Sequence, residues 1–288
     1  MKLTEIFDTK KASLSFEVFP PKNSANYESI RAAAEEIATL SPSFMSVTYG
    51  AGGGTSDYTV SIAADIQEKF RLPVLAHLSC INATREGVRA QLDAMRSAGI
   101  DNVLALRGDL APGDAPREDW QYRYAGELVR EIADYGGFCI GGACYPEGHT
   151  ESPSQREDIR HLKEKVDAGC AFLTTQMFFD NNVLYNFLFK ARDAGIQVPI
   201  VAGIMPVTSA SQIRRIVALS GTVLPQRFRY ILDRFGDNPA TMRQAGIAYA
   251  TEQIVDLFAN GISAVHVYSM NNPFVARRIR ENLSEIIR

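Results

Sequence analysis

Histidine and tryptophan are scarce in these 288 residues, at four and one. The histidines, His77, His149, His161 and His266, form no HExxH pair, and no paired-carboxylate spacing accompanies them, so a metal centre has no support in the sequence. Cys80, Cys139, Cys144 and Cys170 make no CxxC motif, and at least three lie in apolar runs. They read as small core residues of a reducing compartment rather than as disulfides or zinc ligands. Neither sign of charge dominates: 30 basic residues are interspersed with 33 acidic ones, for a net charge of −3. A phosphate backbone would find no basic face, which excludes nucleic acid as a partner. No apolar run approaches the about 20 residues of a membrane span. Acids and lysines interrupt MKLTEIFDTKKASLSF where a signal peptide needs an apolar stretch. A soluble, cytoplasmic protein with no membrane partner is expected. Low-complexity tracts and Pro/Ser-rich linkers are also missing, which points to a single domain over residues 1–288.

What the chain does have is 46% hydrophobic residues, enough for a large core. Short apolar runs recur at a spacing of roughly 30 residues with amphipathic stretches between them, the rhythm of repeated βα units. They are SLSFEVF, FMSVTYG, PVLAHLSC, NVLALRGD, CIGGACY, FLTTQMFF, PIVAGIMP and AVHVYSMN. YESIRAAAEEIATL, REGVRAQLDAMRSAG and REDIRHLKEKVDAG carry the helical period, several of these stretches closing on glycine. The seventh unit is longer, with SQIRRIVALSG, PQRFRYILDRFG and ATMRQAGIAYATEQIVDLFANG before the last strand. Eight such units predict an α/β fold, a single (β/α)8 TIM barrel with extra helical turns before its last strand; a doubly wound sheet is the competing arrangement.

Active sites of such barrels are built at the C-terminal ends of the strands, and polar groups gather there in this sequence. Glu17 lies in the first run, Thr48 and Tyr49 end the second, His77 is in the third, and Arg107, Gly108 and Asp109 end the fourth. Tyr145 to His149 follow the fifth, Gln176 is in the sixth, and Tyr268 precedes Asn271 in the eighth. Strand alternation puts Leu14, Phe16 and Val18 on one face and Ser15 and Glu17 on the other, so Glu17 faces inward near the top. Each residue taken singly has a packing explanation: a paired or solvated glutamate, a core histidine, an Arg107–Asp109 ion pair, amphipathic tyrosines. Core packing does not explain why nearly every strand carries such a group at the same end.

YGAGGGTSD, at 49 to 57, lacks the third glycine of GxGxxG, and no acid ends the next strand, which argues against a Rossmann site. Its glycines allow either close backbone approach to a flat ligand or an ordinary flexible loop. Asp158, His161 and Lys165 fall at i, i+3 and i+7 on one helix face, as a solvated stripe or as a hold on a ribose or diphosphate at the rim.

In order and spacing, SFEVFPPK, VTYGAGG, LRGDL, CYPEGH, LKEKVDAGC, TTQMFFD, GIMPV and HVYSMN resemble the methylenetetrahydrofolate reductase family from about residue 13 to 275. The resemblance implies a barrel that binds FAD and passes electrons from NADH or NADPH to 5,10-methylenetetrahydrofolate in a ping-pong scheme. In form it resembles the bacterial, catalytic-domain-only members. Carried over by position, Glu17 matches the general acid that opens the folate's five-membered ring toward N10, which calls for a raised pKa. Asp109 matches the residue between flavin and pterin. Gln176 and Gln212 match folate contacts, Gln176 serving nicotinamide in turn. The FAD set implied is Thr48, Tyr49, Ala51, His77, Arg107, Gly108, Asp109, Tyr124, Ala125, Tyr145, His149, Asp158, His161 and Lys165, with the nicotinamide as the alternative partner of Thr48. One departure stands out: Asn272-Pro273 follows YSMN where many relatives have an arginine suited to the folate's glutamate tail, and Arg277 and Arg278 are the alternatives nearby. A homo-oligomer is expected. Two other readings compete: a non-flavin lyase or aldolase barrel, and a flavin-binding subunit fed by a partner protein.

Overall fold

The computed structural model describes residues 1–7, 11–21, 23–49, 56–110 and 119–287. All eight apolar runs form strands: β1 (Ser13–Val18), β2 (Met45–Val47), β3 (Val74–Ser79), β4 (Asn102–Leu106), β5 (Cys139–Cys144), β6 (Phe172–Thr175), β7 (Ile200–Ile204) and β8 (Ala264–Val267). They pair in chain order, every pair parallel, and β8 closes on β1, which makes the (β/α)8 barrel and disposes of the doubly wound alternative. Between and after the strands run α1 (Tyr27–Ala38), α2 (Ser56–Phe70), α3 (Arg85–Ser97), α4 (Ala125–Tyr135), α5 (Gln155–Asp167), α6 (Asn181–Asp193), α7 (Ala210–Ser220), α8 (Gln226–Phe235), α9 (Pro239–Ala259) and α10 (Pro273–Asn282). No helix among the described residues is long and apolar enough to cross a membrane.

Local chemistry sets these boundaries. Side chains of Thr84, Ser154, Asp180, Ser209, Asn238 and Asn272 accept backbone N–H groups at the starts of α3, α5, α6, α7, α9 and α10, satisfying donors that lack helical partners. Pro239 and Pro273 open their helices, where the missing N–H costs nothing. The long seventh unit is α7, α8 and α9. These enclose a small apolar cluster of their own, with Met177, Phe179, Ile213, Phe228 and Met242.

Alternation sorts the strand residues into two cores. Leu14, Phe16, Val18, Val265 and Val267 face outward and pack with the helices. Inside the lower barrel, Phe44, Leu75, Leu104, Phe172 and Val201 form a plug that Leu3 and Phe7 close from below. Phe7 meets the Phe172 ring with centroids 5.1 Å apart. Above this apolar floor the inward residues turn polar, with Ser15, Ser46, His77, Thr174 and His266 all buried. The free, buried thiols of Cys80, Cys139, Cys144 and Cys170 lie within the packed structure.

Candidate active site

Glu17 is the centre of the polar layer. Its side chain is 18% exposed, and its Oε2 lies 3.7 Å from His77 Nε2 and 4.0 Å from His266 Nε2. Neither imidazole is a cation, because burial pushes both histidines down to about 3. Hydroxyls flank both ring nitrogens of His266. Ser15 Oγ lies 2.7 Å from Nδ1 and 3.1 Å from the Val265 carbonyl. Ser46 Oγ lies 2.9 Å from Nε2. With no positive charge beside it among the described residues, burial pushes the Glu17 carboxyl up to about 8, and a hydrogen bond with Ser46 offsets only part of the rise. Glu17 therefore carries a proton at neutral pH.

Strand register builds this cluster. Glu17 lies beside Ser46 across the β1–β2 pair, and Ser15 lies beside His266 across β1–β8. The β8 loop then fixes the end of β1: Ser269 Oγ donates to the Glu17 carbonyl at 2.8 Å, and Asn271 bonds both the N–H and the carbonyl of Phe19. Tyr268 stands over His266 edge to face and donates to the Thr175 carbonyl at 2.5 Å. Burial, then the Glu17 carboxylate form, raises its phenol well above the ordinary value, so Tyr268 remains neutral.

A second group lines the β4–β5 side. Gly108 has φ +90°, and a Cβ there would meet Ile81 Cγ2 at 2.6 Å, so only glycine turns the chain here and leads out to the exposed Asp109. Arg107 does not pair with Asp109: its two terminal nitrogens bind Glu151 at 2.5 and 2.6 Å. Tyr145 meets His149 edge to face at 4.6 Å. Burial, then the carboxylates of Asp109 and Asp158, pushes the Tyr145 phenol up to about 12, which places these residues around one another. Lys165 reaches from α5 to the Ala143 carbonyl, and burial lowers its pKa.

Most of the expected residues stand at the same end of the barrel. Thr48 and Tyr49 follow β2, Tyr124 and Ala125 begin α4, Gln176 follows β6, and Gln212 lies in the first turn of α7. His161 is exposed on α5 and receives the Arg160 guanidinium at 2.7 Å. Asn272 caps α10, while Arg277 pairs with Glu36 and Arg278 with Glu281, so both cations near it are engaged on the surface. Ala51 lies outside the described residues. Sequence reasoning missed Ser46 and did not connect His266 to Glu17. The available signal was parity: His266 and Tyr268 share a face of β8, as Ser15 and Glu17 share one of β1.

The donor set fits a flavin dinucleotide. Arg107, Lys165 and His149 suit a diphosphate, and the tyrosines suit flat rings. His77 Nε2 is a buried polar atom with no hydrogen-bond partner among the described residues, a group that a bound ligand can satisfy.

Comparison with known proteins extends this picture. A sequence model of the family described as Methylenetetrahydrofolate reductase matches residues 2–284. Methylenetetrahydrofolate reductase 1 of Schizosaccharomyces pombe is 37% identical over 278 residues, covering 95% of this chain and 46% of the yeast protein. The chain thus spans about half the length of its fungal and plant relatives. The 5,10-methylenetetrahydrofolate reductase of Pectobacterium carotovorum is 35% identical, with 91% of this chain and 86% of the bacterial protein covered. Among solved structures, a Clostridium thermocellum protein described as binding two copies of 5-methyl-5,6,7,8-tetrahydrofolic acid superposes with a TM-score of 0.68 at 15% identity, covering 98% of this chain and 99% of that one. At that identity the likeness speaks for the fold.

Proposed function

The chain belongs to the methylenetetrahydrofolate reductase family, and from that premise we propose that it reduces 5,10-methylenetetrahydrofolate to 5-methyltetrahydrofolate, with FAD as carrier and NADH or NADPH as electron source in a ping-pong cycle. The observation that carries this reading is the place of Glu17 at the barrel mouth, 3.7 and 4.0 Å from two buried imidazoles, where burial raises its carboxyl to about 8. Folate reduction needs such a group, because the five-membered ring must open, with a proton delivered toward N10, before the methylene carbon can take hydride. FAD, when bound, relays that hydride from the nicotinamide.

The protein's own residues supply the rest. Glu17 holds the proton, and Ser46 and His266 hold Glu17 in place. Asp109 supplies a negative charge toward the cationic iminium formed on ring opening. Gln176 and Gln212 orient the pterin, and Arg107, His149, Asp158 and Lys165 hold the dinucleotide. Purified protein is expected to be yellow, and anaerobic titration with NADH or NADPH to bleach it. A colourless protein that cannot be reconstituted with FAD would sink the reading; a yellow protein bleached by neither nicotinamide would leave it without its electron source.

The Glu17 proton also sets a pH dependence. In single-turnover experiments the folate step is expected to be flat below about pH 8 and to fall tenfold per unit above it. Stability follows the same sign. The folded protein keeps a proton that the unfolded chain loses near 4.5, so this contribution is complete below 4.5 and is lost as pH rises through about 8. A folate step that accelerates from pH 7 to 9 would contradict the assignment.

A further inference from the structure

All three guanidinium nitrogens of Arg107 are engaged by protein groups. Its Nε donates to the Gly108 carbonyl at 3.1 Å, and both terminal nitrogens donate to Glu151, one to each carboxylate oxygen. The fork-on-fork geometry is the one a guanidinium makes with a phosphate. The partners differ in burial: the Arg107 side chain is 17% exposed and that of Glu151 is 52% exposed. Arg107 is held by the barrel, whereas Glu151 sits on the loop after β5 and has water to turn toward.

That loop is tied to other residues of the proposed dinucleotide site. Glu151 donates its N–H to His149 Nδ1 at 3.1 Å, Ser152 donates its N–H to the His149 carbonyl at 2.9 Å, and Ser152 Oγ donates to Asp158 at 3.3 Å. Glu151 is thus linked by its own N–H to His149 and through Ser152 to Asp158.

We propose that Glu151 is an internal phosphate mimic: its carboxylate occupies the two Arg107 donors that the diphosphate of FAD takes, and FAD binds by displacing it. The proposal rests on the FAD reading above. With Glu151 half-exposed, solvent weakens the pair, so a diphosphate can win the exchange, but the competition weakens FAD binding and gates the site against weaker anions. Glu151 is thus a determinant of cofactor affinity and not a catalytic residue.

The test is FAD binding to the flavin-stripped full-length protein, followed by quenching of flavin fluorescence. Glu151→Gln keeps the shape and removes the competing charge. It is expected to tighten FAD about fivefold, the scale of one partly exposed ion pair. In an Arg107→Gln background the same change is expected to have no effect, because the contested donors are gone. Unchanged or weaker binding by Glu151→Gln would overturn the proposal and show that Glu151 instead orients Arg107. Equal tightening in both backgrounds would overturn it too, assigning the effect to overall charge. If FAD binds neither the wild type nor the variants, the cofactor reading itself fails; if the wild type binds FAD and Glu151→Gln brings no gain, only the mimic fails.

Discussion

A Glu17→Gln enzyme is expected to take electrons from NAD(P)H at close to the wild-type rate and to lose the folate step by about a hundredfold to ten-thousandfold, the range for removing a positioned general acid. Glutamine keeps the length and the hydrogen-bonding reach of glutamate, so register with Ser46 and packing beside His266 survive. What disappears is the transferable proton. The surroundings make the loss severe, because no neighbour among the described residues can replace the donor: His77 and His266 are pushed down to about 3 and carry no spare proton at neutral pH, while Tyr268 is held well above its ordinary value and donates to the Thr175 carbonyl. Anaerobic stopped-flow measurement of the two half-reactions separates the outcomes. Equal loss in both would make Glu17 a structural residue, and full retention of the folate step would place the proton elsewhere.

Parts of this site were legible in the sequence and parts were not, for a definable reason. Alternation along SLSFEV assigned Glu17 to the barrel interior, and strand β1 has Leu14, Phe16 and Val18 in the outer core as that reading requires. Local patterns of this kind depend on neighbours within a few residues. The contacts of the polar layer around Glu17 do not: Ser15 and His266 are 251 residues apart, and Ser46 and His266 are 220 apart. Their meeting depends on barrel closure and on the β1–β2 and β1–β8 registers, none of which is written in a local period. The same limit explains Arg107. Asp109, two residues away, was its obvious partner in sequence, yet the turn at Gly108 separates them and the β5 loop brings Glu151 instead. His161 lies on α5 with Asp158 and Lys165 as helical spacing requires, and its ring is exposed beside Arg160.

Gly203 shows the same long-range logic in a residue with no side chain, and Gly203→Ala is expected to be the most damaging small substitution in the upper barrel. It lies in β7, paired with His266 of β8, and its N–H donates to Thr175 Oγ1 at 2.8 Å. A Cβ there would fall well inside van der Waals contact of the Thr175 carbonyl oxygen and the Tyr268 hydroxyl, and 2.7 Å from Tyr268 Cε2. The tyrosine could swing away, but the carbonyl belongs to β6 and cannot move without disturbing the barrel. Overpacking of this kind costs about 3 kcal/mol, which lowers the melting temperature by roughly 6 to 12 °C in a chain of this size. Displacing Tyr268 also breaks its bond to Thr175 and disturbs the ring standing on His266, so the folate step should fall along with stability. Tyr268→Phe removes the hydroxyl while leaving the carbonyl in place. Combined with Gly203→Ala it is expected to recover less than half of the lost stability, because the backbone contact is the harder of the two to relieve. A Gly203→Ala protein melting within 2 °C of wild type, by about the measure of 1 kcal/mol or less, would show that β6 and β7 can part enough to admit a methyl group; the tight packing inferred beneath Tyr268 would then be wrong.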